Sequence, residues 1–224
     1  MNLMNKNYLK FFKIVLKKNT LLRALQIYEC LNINLRGISL EFGATSNKNK
    51  TFSNFVMGSS KFHYTNKISN HKFKIFYSDL TKKLKISSNK YNNVLFFNIL
   101  EHLPEYKLAF SEIYRIIKKG GYFIGSVPFI YQIHADPNDY FRFSRELLEL
   151  NLNKYKFKKI KIKSLGFGPF IASYSLLYPY LRYLPFLSQI CLLLAYIFDS
   201  FIQIFVKTDL EEIFPLGYFF IAKK

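Results

Sequence analysis

The chain has no tryptophan, two cysteines and four histidines in 224 residues. Cys30 and Cys191 sit far apart in apolar, helix-like surroundings. Their spacing fits neither a redox pair nor a metal cluster, so they read as small buried hydrophobes of a reducing compartment. His63, His71, His102 and His134 are scattered, and their spacing suggests no metal site. Acidic residues are scarce, 14 against 33 basic, which leaves a net charge of +19. That field attracts polyanions or an anionic membrane face. No basic run interleaved with aromatics resembles a nucleic-acid module, so nucleic acid is not an expected partner. The chain also lacks internal repeats and low-complexity linkers. A basic N-terminal stretch carries an apolar patch over 11–16, interrupted by Lys13 and followed by no small-residue cleavage site. A signal peptide is therefore not expected, and the expected location is cytoplasmic, with a peripheral position on the inner face of the cell membrane as its variant.

What is present in quantity is apolar and aromatic: half the residues are hydrophobic, with 25 Phe and 17 Tyr. Heavy use of Lys, Asn, Ile and Phe fits an A/T-rich codon bias as well as it fits selection for function. The length suits one decorated domain. The pattern predicts helix over 8–35, broken near Asn19–Thr20, with Thr20 as a cap. It predicts strands at 38–42, 61–64, 73–77, 94–97, 122–127, 157–163 and 216–222, and a possible helix start over 51–58. Apolar residues from Ala109 to Ile117 fall at helical spacing; Arg115, Lys118 and Lys119 follow in the expected last turn, and Gly120 is the expected C-cap. Ser144 is placed to cap a further helix. Strands alternating with helices argue for a mostly parallel sheet covered on both faces.

The window 186–206 is long enough to span a bilayer, yet Gln189, Asp199 and Gln203 lie within it. On a helix these fall near one face with Tyr196 and Lys207. Three readings are open: packing on the domain, contact with a membrane interface, and a true span.

The densest chemical signal is 92–128, where a strand ending at Phe97 meets Asn98, Glu101 and His102, then a helix, Gly120–Gly121 and a second strand. This stretch resembles the part of class I S-adenosylmethionine-dependent methyltransferases that reads D-x-V-x-x-x-x-V-L-E-H, then R-x-L-K-P-G-G. The resemblance covers about 36–170 and resumes near 214. It implies an α/β, Rossmann-like, doubly wound sheet of seven mostly parallel strands with an antiparallel last strand. Added helices stand at both ends: a helical segment over 1–35, then a domain over 36–224 with an apolar helical insertion at about 172–207.

The resemblance also implies a site. Glu41 and Gly43 match the first glycine motif, while Thr45 stands where a second glycine is usual. Asn66 stands where an acidic residue holds the ribose hydroxyls, and Asp79 and Leu80 stand where the adenine is contacted. Asn98 belongs to the floor of the cofactor site. Asp79 has an alternative reading as a turn cap.

Residues 126–144 resemble a subgroup with V-P-F, then H-x-x-P-x-D-Y-x-R-[FY]-[ST], associated with lipopolysaccharide and other surface-glycan assembly. Here His134, Asp139 and His102 are the candidate catalytic residues; Glu101, Tyr140 and Arg142 are the candidate acceptor-binding ones. Asp139 and Arg142 are equally readable as a pair that fixes the loop, and Glu101 and His102 as organisers of the pocket. The expected cofactor is S-adenosyl-L-methionine, and the expected acceptor a small-molecule, glycan or lipid-linked intermediate. An anionic membrane surface is a further expected partner. The altered motif leaves one alternative: a non-catalytic methyltransferase fold serving as a membrane-associated scaffold. A nicotinamide-dependent oxidoreductase is disfavoured because no G-x-G-x-x-G occurs.

Overall fold

The computed structural model describes residues 19–45 and 51–224. In chain order the described elements are α1 (Leu21–Cys30), β1 (Asn34–Leu35), β2 (Ile38–Phe42), β3 (Met57–Gly58), β4 (Lys61–Asn66), β5 (Ile75–Tyr77) and β6 (Tyr91–Phe97). They continue with α2 (Tyr106–Ile116), β7 (Ile117–Pro128), α3 (Arg145–Lys154), β8 (Lys158–Gly166), α4 (Pro169–Leu181), α5 (Pro185–Phe205), α6 (Leu210–Ile213) and β9 (Pro215–Lys223).

Seven strands form one sheet in the order β5-β4-β2-β6-β7-β9-β8. β2 pairs in parallel with β4 and β6, β4 with β5, and β6 with β7. The last strand runs the other way: Gly120 at the start of β7 donates to Lys224 beyond β9, while Phe129 beyond the end of β7 donates to Leu216 near the start of β9. The Rossmann-like sheet and its antiparallel strand are as the resemblance implies.

The chain divides into two compact units. Among the described residues, one comprises 30–45, 51–127, 133–163 and 218–224. Its core is aromatic: Phe123 on β7 meets Phe96, Phe110 and Phe220 with ring centroids 5.9, 6.0 and 5.0 Å apart. All four rings are fully buried. The run 94–97 in β6 is wholly apolar and buried, the pattern of a central strand in a parallel sheet covered on both faces.

The other unit comprises 19–29, 128–132 and 164–217. Its helices α4 and α5 form a hairpin. Asp199 on α5 accepts from the N–H groups of Phe170 and Ile171 at 3.0 and 2.8 Å, capping α4. Gly168 allows this, since a Cβ there would stand 2.6 Å from the Asp199 carboxyl. Tyr174 and Ser188 share a hydrogen bond of 2.9 Å, and Gln203 accepts from the N–H of Leu210 at 2.8 Å. The buried stripe of α5 is Ser188, Ala195 and Asp199. Its exposed residues include Phe186, Leu193, Ile197, Phe201, Ile204 and Phe205.

Five local expectations change. The helix predicted to run to 35 ends at Cys30, because Asn34–Leu35 is a strand paired with Met57–Gly58. Residues 52–55 form a 3-10 turn, because Met57–Gly58 is drawn into pairing with Asn34–Leu35. β5 begins at Ile75 because His71–Phe73 is a short turn capped by Asn70. α2 stops at Ile116, where the carbonyls of Arg115 and Ile116 accept from Asn89 and Lys90. Lys118, Lys119 and Gly120 therefore belong to β7, and Gly120 is not the helix cap. Thr20 and Ser144 do cap their helices, accepting from Arg23 and Leu147 at 3.3 Å each. The predicted helix over 8–18 lies outside the described residues.

Candidate active site

Because β5, β4, β2, β6 and β7 are parallel, their carboxyl ends share one edge. The chain runs outward from β2 to β5, then returns to β6 on the other side of β2. The reversal opens a crevice at the tips of β2 and β6, where open α/β sheets bind ligands. The candidate cofactor residues Glu41, Gly43, Thr45, Asn66, Asp79, Leu80 and Asn98 all stand at or just beyond strand tips on this edge.

Glu41 is buried, and its carboxylate accepts from the N–H groups of Phe52 and Ser53 at 2.7 and 2.9 Å. It thereby ties the turn after the first motif back to the strand. Gly43 has φ +72, and a Cβ there would lie 3.1 Å from Ile99. The positive φ favours glycine, and the Ile99 contact places the β6 loop directly against the glycine turn. Thr45 is exposed.

Asn66 donates to the carbonyl of Ala44 at 2.8 Å and accepts from the N–H of Lys67 at 2.6 Å. Its amide thus clamps the glycine turn to β4. Asp79 accepts from the N–H and hydroxyl of Thr81 at 3.0 and 2.7 Å through Oδ1, which holds its carboxyl below the ordinary range. The turn-capping role is therefore present, with Oδ2 carrying no bond in that turn. Leu80 is half-buried beside it. Asn98 takes a left-handed φ of +53, and its N–H donates to Ser126 at 2.8 Å.

Two of the four histidines do not stay scattered. Folding brings His102 and His134 together, with ring centroids 4.9 Å apart. Glu101 lies fully buried between them, Oε1 standing 3.7 Å from the Nε2 of each. The Nδ1 of His102 lies 2.6 Å from the carbonyl of Asn138, so that nitrogen carries the proton. The Nδ1 of His134 lies 3.4 Å from Asp139, whose carboxylate also accepts from the His134 backbone N–H at 2.9 Å. Arg142 grips Asp139 with both guanidinium NH2 groups, one at 2.7 Å. That grip, above all, holds the Asp139 carboxyl well below the usual range and raises Arg142. The loop-fixing reading of this pair is thus realised, and it also orients His134. Tyr140 is exposed at its ring, while its N–H donates to the Glu101 carbonyl at 2.8 Å.

Sequence reasoning missed three contributors: the Phe52 and Ser53 amides, Ile99 beneath Gly43, and the Asn138 carbonyl. Each acts through backbone or plain packing, which leaves no residue-type signal.

Residues 51–125 match the family profile described as a methyltransferase domain. This is a class I methyltransferase fold. No curated protein matches the sequence. Among solved structures, a methyltransferase from Thermotoga maritima is 14% identical over 97% of this chain and 95% of its own, with TM-score 0.57. A SAM-dependent methyltransferase from Archaeoglobus fulgidus is 17% identical over 91% of this chain and 92% of its own, with TM-score 0.55. A phosphoethanolamine N-methyltransferase from Haemonchus contortus, in complex with S-adenosyl-L-methionine, is 16% identical over 89% of this chain, with TM-score 0.56. This chain spans about half of that protein, 52% of its length. At such identities the likeness is one of methyltransferase fold.

Proposed function

We propose that the chain is an S-adenosylmethionine-dependent methyltransferase that O-methylates a glycan or lipid-linked intermediate. One observation carries this reading: the loop bearing Glu101 and His102 begins at Ile99, which lies against the Gly43 turn. Cofactor crevice and imidazole cluster are therefore adjacent along one short segment. The glycine turn would admit the cofactor backbone-close and Asp79 would meet its base, while Asn66 would bear on the ribose only through the second lone pair of an oxygen that already accepts from Lys67. Methyl transfer demands alignment and exclusion of water, plus a base where a hydroxyl is the acceptor. His134 or His102 is placed to receive that proton, and Tyr140 offers an exposed ring for a sugar face.

The helical hairpin supports a lipid-linked acceptor. On α5, Ser188 and Asp199 are turned inward and most of the Phe, Leu and Ile outward, with Gln189 and Ser200 among the few exposed polar groups, so the outer face is far more apolar than that of a solvated helix pair. Pro185–Phe205 is long and apolar enough to cross a bilayer by length and composition, with mean hydropathy 1.7. With a net charge of +19, we assign this face to an anionic membrane interface.

A second reading, a non-catalytic scaffold of the same fold, draws on Asn66. Its amide is already engaged on both sides, and no carboxylate stands at the ribose position. Incubation with methyl-labelled S-adenosylmethionine and a panel of surface-glycan precursors separates the two. Label in an acceptor, lost in His134→Ala, supports the enzyme; no transfer to any hydroxyl acceptor while the cofactor binds supports the scaffold.

A further inference from the structure

The Glu101 carboxylate poses a problem that the proposed reaction does not solve. It is fully buried, and neither of its oxygens makes a hydrogen bond among the described residues. A buried carboxylate without hydrogen bonds carries the full cost of its lost hydration. What faces it is two imidazole Nε2 atoms, each 3.7 Å from Oε1. That is too far for a hydrogen bond and close to the spacing of donors around a common centre.

We propose that Glu101, His102 and His134 bind a divalent first-row transition-metal ion. Their donor atoms all lie within 4.8 Å of one another. Donors about 2.1 Å from a shared ion stand roughly 3.0–3.4 Å apart, so small side-chain rotations close the site. Two nitrogens and one carboxylate oxygen suit such an ion better than magnesium or calcium, and they leave coordination positions open.

The surroundings are built in the way metal-ligating histidines require. Each ligating imidazole normally donates its other N–H to a carbonyl or carboxylate, which fixes the ring and frees its lone pair. His102 does this through Nδ1 to the Asn138 carbonyl at 2.6 Å. His134 presents Nδ1 to Asp139 at 3.4 Å, and Arg142 locks that carboxylate. The backbone N–H groups of Tyr140 and Phe141 hold the Glu101 carbonyl at 2.8 and 3.3 Å, fixing its position against the 138–142 loop. The Nε2 lone pair of His102 is thus left facing Glu101, whose oxygens make no hydrogen bond among the described residues, and the Nε2 of His134 stands at the same 3.7 Å.

The role of the ion rests on the methyltransferase reading. With the ion bound, both imidazoles would be ligands instead of bases: an acceptor hydroxyl at an open position would become more acidic and release its proton to solvent. The resulting oxygen attacks the methyl carbon, the carbon–sulfur bond breaks with its electron pair passing to sulfur, and S-adenosylhomocysteine leaves. Acceptors with two adjacent oxygens, such as a vicinal diol, would fill two open positions at once.

The test is titration of tag-free, chelator-stripped protein with Co2+, followed by visible absorption and calorimetry, with Zn2+ as competitor. We expect one ion per chain, ligand-field bands displaced by Zn2+, and affinity at least tenfold weaker in Glu101→Gln and in His102→Asn/His134→Asn. Circular dichroism confirms that each variant is folded, and the isosteric Glu101→Gln guards against collapse of the loop. S-adenosylhomocysteine titration of the same samples reports separately on the cofactor reading. No stoichiometric Co2+ binding, or binding indifferent to both variants, overturns the metal site whatever that second titration gives.

Discussion

Glu41 and Phe52 are joined by a buried hydrogen bond of 2.7 Å from the Phe52 N–H to the Glu41 carboxylate, with the Ser53 N–H beside it at 2.9 Å. The acidic residue of the first motif is therefore engaged by its own chain, and its effect on the cofactor passes through the loop it holds. Glu41→Ala leaves two amides without their acceptor and is expected to cost about 1–3 kcal/mol. Denaturant melts measure this. Cofactor affinity should fall in parallel, while Glu41→Gln, which keeps one acceptor oxygen, should fall between.

Gly43→Ala probes the crevice more locally. Its φ of +72 disfavours any side chain, and the new methyl meets Ile99 at 3.1 Å. We expect a loss of about 1 kcal/mol in stability. Pairing it with Ile99→Val should recover part of the packing loss but not the backbone strain, a difference that a four-variant melting series resolves.

Arg142 depresses the Asp139 pKa, first through its side-chain hydrogen bonds and then with help from the His134 N–H. A depressed carboxylate contributes stability above its unfolded pKa, about 3.9, and loses it as pH falls toward the folded value. Asp139→Asn should therefore be less stable than the parent by about 1–3 kcal/mol at pH 7. The gap should narrow as pH drops below about 4. Urea melts across that range check the sign; a gap that widens in acid would refute it.

The hairpin makes a surface prediction. Vesicles containing anionic lipid should sediment the protein, and neutral vesicles should do so less well. Phe186→Glu/Phe201→Glu should abolish sedimentation without lowering the melting temperature, since both rings are exposed. Asp199→Ala should instead destabilise the fold, because it uncaps α4.

Much of this architecture was legible in the chain. The strands at 38–42 and 94–97 announce themselves as apolar runs, and Ser144 and Thr20 as caps, because those signals are local; the start of the second strand at Tyr91, through Asn92 and Asn93, carries no such signal. The end of α2 was not legible, since Asn89 and Lys90 satisfy its carbonyls from a separate segment. The meeting of His102 with His134 was equally hidden: 32 positions separate them, and only the docking of the 138–142 loop on Glu101 brings them together. The polar residues of α5 were visible as a stripe, but not that Asp199 would face α4 and turn the apolar side outward.

The most direct test of the account is calorimetric titration with S-adenosylhomocysteine, on the parent chain, Gly43→Val and Asp79→Ala. The account predicts saturable micromolar binding at one site, weakened at least tenfold by each substitution while the fold persists. A folded parent chain that takes up no S-adenosylhomocysteine would contradict it.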